Sequence, residues 1–432
     1  MRIILITVLL IVVTTMTMAQ NKTEFKPEVK IGGTVFSGWE YNAGDAEFIS
    51  KLSSTADATQ PFGFAPLKNQ FETSKNSFFV ERAYINVWAT LTPQIKARVT
   101  PDIYSYTDGK GATQYAYQLK FAFVEYTPLT TEDGLSLSFT GGVVPNTWVP
   151  NIEKAFGYRG ALKTLSDYSW TTGASVSGTT VTRTTASYMS TADLGVTAKL
   201  NLPKNYANLS VSVLNGNGFR NLGFDNRFKD ILVSGFIYPL AGDLAKKMDA
   251  AKKSGKNRID GVADLTVGGY AYIGKQGNGE GQFQNNRFGG MANFKYNFTK
   301  VGFIKIGTEL SMLSNQVPNA NVLDSTVNGR GISAWLEFNP PVEAFGEKLS
   351  LVARYDMFDP NTNKPGTNLP GFNADNGKQN LLLVGIFYKP AGVLTLGLNY
   401  QTTSYEKNFA LKYDGTPTST VSKFVFNTIL DF

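Results

Sequence analysis

The chain of 432 residues has no cysteine and no histidine. Without cysteine there can be no disulfide framework and no thiolate metal site. Without histidine the usual general base and commonest metal ligand is missing, which excludes Ser-His-Asp and other His-dependent chemistry. Charge is sparse, at 17% of residues, with Lys plus Arg at 41 against Asp plus Glu at 34. Apart from one lysine-rich turn, no basic tract is concentrated enough to hold nucleic acid. The net charge of +7 points instead to small anionic solutes or anionic lipid as partners. Long apolar runs are also scarce. Ile3 to Val13 is apolar but too short for a spanning helix. With Arg2 before it and Thr17-Met18-Ala19 after it, residues 1–19 read as a secretory signal peptide. No later stretch reaches the roughly 18 consecutive apolar residues that a transmembrane helix needs.

Residues 20–432 would by length alone be two or three domains, yet no linker, low-complexity tract or shift in composition divides them. What is abundant is glycine (42), tyrosine (20) and phenylalanine (30), the composition of strands and turns. Period-two alternation gives sixteen candidate strands, at approximately 28–38, 77–91, 94–105, 116–127, 135–144, 187–200, 206–214, 227–238, 262–274, 286–298, 302–313, 329–339, 348–358, 379–389, 391–403 and 422–432. They are longer than the usual globular strand of about 5–6 residues and match the roughly 9–11 residues that cross a bilayer at a tilt. The connections alternate in length. Thr92-Pro93, 201–205, 299–301 and Pro390 are tight, whereas 39–76, 145–186, 314–328, 359–378 and 404–421 are long and polar. Short turns at one end and long loops at the other mark an outer-membrane barrel. The turn 239–261 breaks the pattern with a short lysine-rich helix, read as a solvated cap. The expectation is therefore an all-β, sixteen-stranded antiparallel transmembrane barrel in the Gram-negative outer membrane. Its last strand closes on its first, so the terminal Phe426, Leu430 and Phe432 face lipid.

A barrel of 16–18 strands leaves an aqueous channel, so passage of solutes is the expected function. Parity places Arg82, Tyr84, Asn86 and Trp88 inward on 77–91, Lys96 and Arg98 on 94–105, and Gln118 and Lys120 on 116–127, a continuous basic wall. Elsewhere the lumen should hold Lys199, Lys295, Lys305 and Arg354 with Asp193, Glu309, Glu337 and Asp356. Lys305 with Glu309, Arg354 with Asp356, and Arg98 with Asp102 share a face and are expected to pair. The loop 145–186, with Trp148, Phe156, Tyr158 and Trp170, has enough apolar material to pack on an inner wall. It carries Lys154, Arg159, Lys163 and Arg183 against Glu153 and Asp167, a candidate constriction; the alternative is an outward loop over the mouth. Gly274–Gln282 lacks the Lys-Ser/Thr of a phosphate-binding loop. Lys364 stands where a calcium loop starting at Asp359 needs glycine. No cofactor or metal is expected.

The segments "FFVERAYINVWATLTPQIKARVTPDIYSY" (78–106), "YQLKFAFVEYTP" (117–128), "TADLGVTAKLNL" (191–202), "VSVLNGNGF" (211–219) and "LVARYDMFDPN" (351–361) resemble the phosphate-selective porin family, the porin O and porin P group. The resemblance runs from about residue 30 to the end. It implies a homotrimeric, anion-selective barrel that passes phosphate along an arginine ladder to a site at the inward third loop. It also implies that the assembly machinery reads the final Phe432. Arg98 and Arg354 match positions commonly basic in that family, and Lys154, Arg159 and Lys163 are available to the constriction. The run Glu81-Arg82-Ala83-Tyr84 carries one arginine where the family has several, so the expectation is a weakly anion-selective porin, not an enzyme, with phosphate as the hypothesis. Two other functions fit a barrel. One is a general or carbohydrate porin that stacks sugars on Trp88, Trp148, Trp170 and the many tyrosines, and the other is a non-channel hydrolase or adhesin.

Overall fold

The computed structural model describes residues 25–432 apart from 45, 58–63, 68–75, 108–112, 222–227, 254–258, 277–282, 317–325, 363–376, 407, 409 and 413. The expected signal peptide, most of the Gly-rich loop, the core of the calcium-like loop and the Arg183 side chain lie outside the described residues. Sixteen strands form one closed antiparallel sheet: β1 (Glu28–Asn42), β2 (Asn76–Thr90), β3 (Ile95–Thr107), β4 (Thr113–Thr130), β5 (Ser136–Pro145), β6 (Ala192–Asn201), β7 (Ala207–Leu214), β8 (Asp230–Ile237), β9 (Val262–Ile273), β10 (Phe283–Asn297), β11 (Phe303–Gln316), β12 (Thr326–Asn339), β13 (Leu349–Asp359), β14 (Gln379–Ala391), β15 (Leu394–Tyr405) and β16 (Thr420–Asp431). Each pairs with its sequence neighbours, and β1 pairs with β16 from Thr34↔Asp431 to Asn42↔Lys423. Closure continues to the last residue. The Phe432 N–H donates to the Gly33 carbonyl at 2.9 Å, and the Gly33 N–H donates to Phe432 at 2.7 Å. No edge is left for another chain to pair with.

Alternation sets which face is wet. On β16, Val425, Asn427 and Ile429 are buried inward while Phe424, Phe426 and Leu430 are exposed. Ile85, Val99, Val196, Ile306, Ile386 and Leu398 are exposed on the outside in the same way. An apolar outer band of this kind suits lipid, not water. No helix among the described residues is long and apolar enough to cross a membrane.

Two bulges shift the expected parity. One, between Phe36 and Ser37 of β1, faces Glu81 of β2. The other, between Thr100 and Pro101 of β3, faces Lys120 of β4, so Lys120 and Phe121 are both buried. β6 begins at Ala192, not at 187. Residues 187–191 belong to the preceding loop, where the Met189 N–H donates to the Ser166 carbonyl at 2.9 Å. The lysine-rich turn does hold a helix, α2 (Ala241–Lys253), which buries none of its residues. At the long-loop end, Ile49, Leu52, Val181 and Leu411 form a small cluster joining three loops.

Candidate functional site

The loop 145–186 lies inside the barrel. It starts with α1 (Val149–Phe156). The Asn146 side-chain oxygen accepts from the backbone N–H groups of Trp148 (2.8 Å) and Val149 (3.1 Å), donors that helix geometry leaves unpaired. Gly157 ends the helix at φ 87°, a left-handed conformation that favours glycine. α1 turns Val149, Ile152 and Phe156 to one buried side. Trp148 stacks on Phe236 of β8, Phe156 meets Trp335 of β12, Tyr158 meets Phe387 of β14, and Trp170 stacks on Phe358 of β13. The same wall supplies polar anchors. Trp148 Nε1 donates to Glu309 at 3.2 Å, Ser166 also donates to Glu309, and Tyr158 donates to Glu337. Gln401 and Asn427 donate to the Ala161 and Gly160 carbonyls at 3.1 and 3.2 Å. Gly160 sits against Ile429 and Phe36, where any Cβ would collide at about 2.6 Å.

Among the described residues this packing fills the β8–β16 side and borders three cavities that share lining residues. The outer one, about 280 Å³ at the long-loop end, is lined by Arg82, Arg159, Lys163, Arg220 and Arg287 against Asp167 and Asp193. The middle one, about 570 Å³, has Arg98, Lys120, Arg159 and Lys199 against Glu125, Glu153 and Asp431. The inner one, about 940 Å³ near the short turns, has Lys154, Lys199, Lys295, Lys305 and Lys389 against Asp264, Glu337 and Glu347. Arg159, Asn146 and Thr191 border both the outer and middle cavities, and Lys199 borders the middle and inner ones. Cations outnumber carboxylates in all three.

Arg159 occupies the neck between the outer and middle cavities. Its Nε is 2.7 Å from Glu153, one Nη is 3.3 Å from Asp167, and the other is 3.9 Å from Glu81. Burial works against its charge, but Asp167, Glu153 and Glu81 outweigh it and hold the guanidinium above its ordinary value. Lys163 is the reverse case. Burial dominates, Asp167 only partly opposes it, Arg159 and Arg82 add to it, and the ammonium is pushed down to about 8.

The expected residues divide into those at the cavities and those away from them. Arg82 pairs with Asp102 at 2.5 Å, taking the partner expected for Arg98. Arg98 instead donates to Thr100 (3.0 Å) and Asn86 (2.8 Å), and Lys120 donates to Tyr84 at 3.1 Å. Lys154, Arg159 and Lys163 all border a cavity. Two of the expected residues lie away from these cavities. Lys96 is exposed at the short-turn rim and lines none of these cavities. Arg354 is 2% exposed, bound to Asp356 at 2.7 Å and covered by the Phe156 ring at 4.7 Å, so the loop seals it from the lumen. Lys305 pairs with Glu337 at 2.6 Å and not with Glu309. Trp148 and Trp170 are fully buried, which leaves Trp88 as the one of the three expected sugar-stacking tryptophans within reach of solvent.

Sequence reasoning missed Glu81, Arg220, Arg287 and Lys389. Arg287 shares the parity of Lys295 and was findable. Glu81 was hidden by the β1 bulge, and Arg220 follows β7 in a loop, where parity is silent. Among the described residues no cluster of three acidic side chains is disposed to hold a metal ion.

No family model matches the chain, and no curated protein matches it in sequence. Solved structures do match in shape. The outer membrane channel DcaP of Acinetobacter baumannii aligns with TM-score 0.51 and 11% identity over 96% of this chain and 100% of that one. The anion-selective porin from Comamonas acidovorans aligns with TM-score 0.50 and 9% identity over 94% and 100%. At these identities the likeness speaks for architecture, and with the apolar outer band it gives this chain the closed sixteen-stranded fold of Gram-negative outer-membrane porins.

Proposed function

We propose that this protein is an outer-membrane diffusion channel with a preference for small anions. The observation that carries this is the excess of cations in each of the three cavities, with Arg159 at the neck. In a lumen with low-dielectric walls, fixed cations concentrate anions over a Debye length of about 8 Å at physiological salt. The loop 145–186 acts as the constriction: it narrows the path to the side where Arg82, Arg98 and Lys120 stand. Lys154, Arg159 and Lys163 are the loop's contribution to the anion pathway. The resemblance to the porin O and porin P group favours phosphate among the anions, a homotrimer in the membrane, and recognition of Phe432 by the assembly machinery. An anion-selective porin among the structures of similar fold is consistent with this assignment.

Liposome swelling tests the proposal. Purified protein in liposomes should admit small anions faster than neutral sugars of equal size, and phosphate should compete with chloride. Sugars entering as fast as anions would favour the general or carbohydrate porin. No swelling at all would remove the channel.

A further inference from the structure

We infer that the middle cavity is a subsite for organic anions with an aromatic body, aromatic carboxylates in particular; the inference rests on the anion-channel assignment above. One wall of this cavity alternates rings with cations. Arg98 Cζ lies 4.5 Å from the Phe121 ring, while Lys120 Nζ lies 5.4 Å from the same Phe121 and 4.3 Å from Tyr84. Two positive groups thus flank a single ring, and neither is in salt-bridge contact with a carboxylate among the described residues. A planar anion can place its charged end on either cation and its ring along the strip, gaining stacking and cation–π contact together.

Inorganic phosphate fits this wall poorly. Its oxygens need several converging donors, and here part of each cation's donor set is already engaged. Arg98 gives Nε to Thr100 and one Nη to Asn86, and Lys120 gives a proton to Tyr84. A carboxylate needs only the donors that remain. The cavity also contains Glu125, Glu153 and Asp431, which disfavour a doubly charged anion more than a singly charged one. At about 570 Å³ it has the volume of a small-molecule site.

The test is current block in a planar bilayer at fixed KCl, titrating benzoate, acetate and phosphate. Benzoate should halve the current at about tenfold lower concentration than acetate, the ratio expected of one added aromatic contact, and phosphate should block no better than acetate. Phe121 and Tyr84 both line the cavity, and leucine at either position removes the ring while keeping an apolar side chain. Phe121→Leu, and independently Tyr84→Leu, should bring the benzoate-to-acetate ratio to about twofold or less. Equal block by benzoate and acetate in a channel that still prefers chloride overturns this inference alone, as does a benzoate effect that both variants leave intact. Absence of chloride preference in a KCl gradient overturns the assignment beneath it.

Discussion

Replacing Arg159 by glutamine should make the neck more negative. In the native protein one guanidinium neutralises parts of three carboxylates, Glu153 at 2.7 Å, Asp167 at 3.3 Å and Glu81 at 3.9 Å. Glutamine keeps the length and some hydrogen bonding but leaves those carboxylates facing the path without the guanidinium, with Lys163 near Asp167 and Glu81 only partly offsetting them. An ion passing at about 5 Å, with an effective dielectric of about 40–80 in a wet lumen, feels a unit charge at about 0.8–1.7 kcal/mol. That corresponds to about a four- to twentyfold change in partition. Screening at 0.1 M salt, with a Debye length of about 10 Å, brings the expectation to about fivefold. The assay is the chloride-to-potassium permeability ratio from reversal potentials in planar bilayers, with heat-dependent gel mobility as the check that the barrel has closed. Arg159→Lys should retain most of the native ratio, and Glu153→Gln should raise it. A folded Arg159→Gln channel with an unchanged ratio would refute the claim that this neck carries the current.

Anion preference should also depend on pH. Lys163 titrates at about 8 because burial disfavours its charge against the pull of Asp167, with Arg159 and Arg82 adding to the depression and Glu81 opposing it. A base is charged below its pKa, so the chloride preference should fall between about pH 7 and about pH 9, and Lys163→Met should flatten that step in the same reversal-potential series. Trp148→Ala removes a fully buried ring that stacks on Phe236 and anchors to Glu309. The loss of about 3–5 kcal/mol of packing should release the loop, seen as a larger and noisier single-channel conductance. Deleting Phe432 removes the two backbone hydrogen bonds to Gly33 that finish the barrel seam. The yield of the heat-modifiable folded form should fall, while material that does fold keeps the native conductance.

The architecture was legible because its signals are periodic. Alternation over long strands, and connections that are short at one end and long at the other, gave all sixteen strands and the closure through Phe426 and Leu430. Parity also placed Arg82, Arg98, Lys120 and Lys199 on the inside. It failed where the period itself breaks. The bulges at Phe36/Ser37 and Thr100/Pro101 brought Glu81 to Arg159 and set Phe121 beside Lys120, shifts of one residue that composition does not reveal. The loop was harder still. Its aromatics showed that it could pack on a wall, but which wall depends on partners far away in sequence, Glu309, Glu337, Gln401 and Asn427. That choice of wall is what buried Arg354 and exposed Arg98 to the cavity. Pair partners were exchanged for a related reason. Arg82 and Arg98 lie on neighbouring strands within reach of the same Asp102, and only the three-dimensional register gives it to Arg82.

The most direct test of the central claim is the reversal potential of the unmodified protein in a planar bilayer under a KCl gradient. A potential directed toward the chloride equilibrium value is the predicted result, since cations outnumber carboxylates in each of the three cavities bordered by the described residues. A potential of zero, or one directed toward potassium, would contradict it.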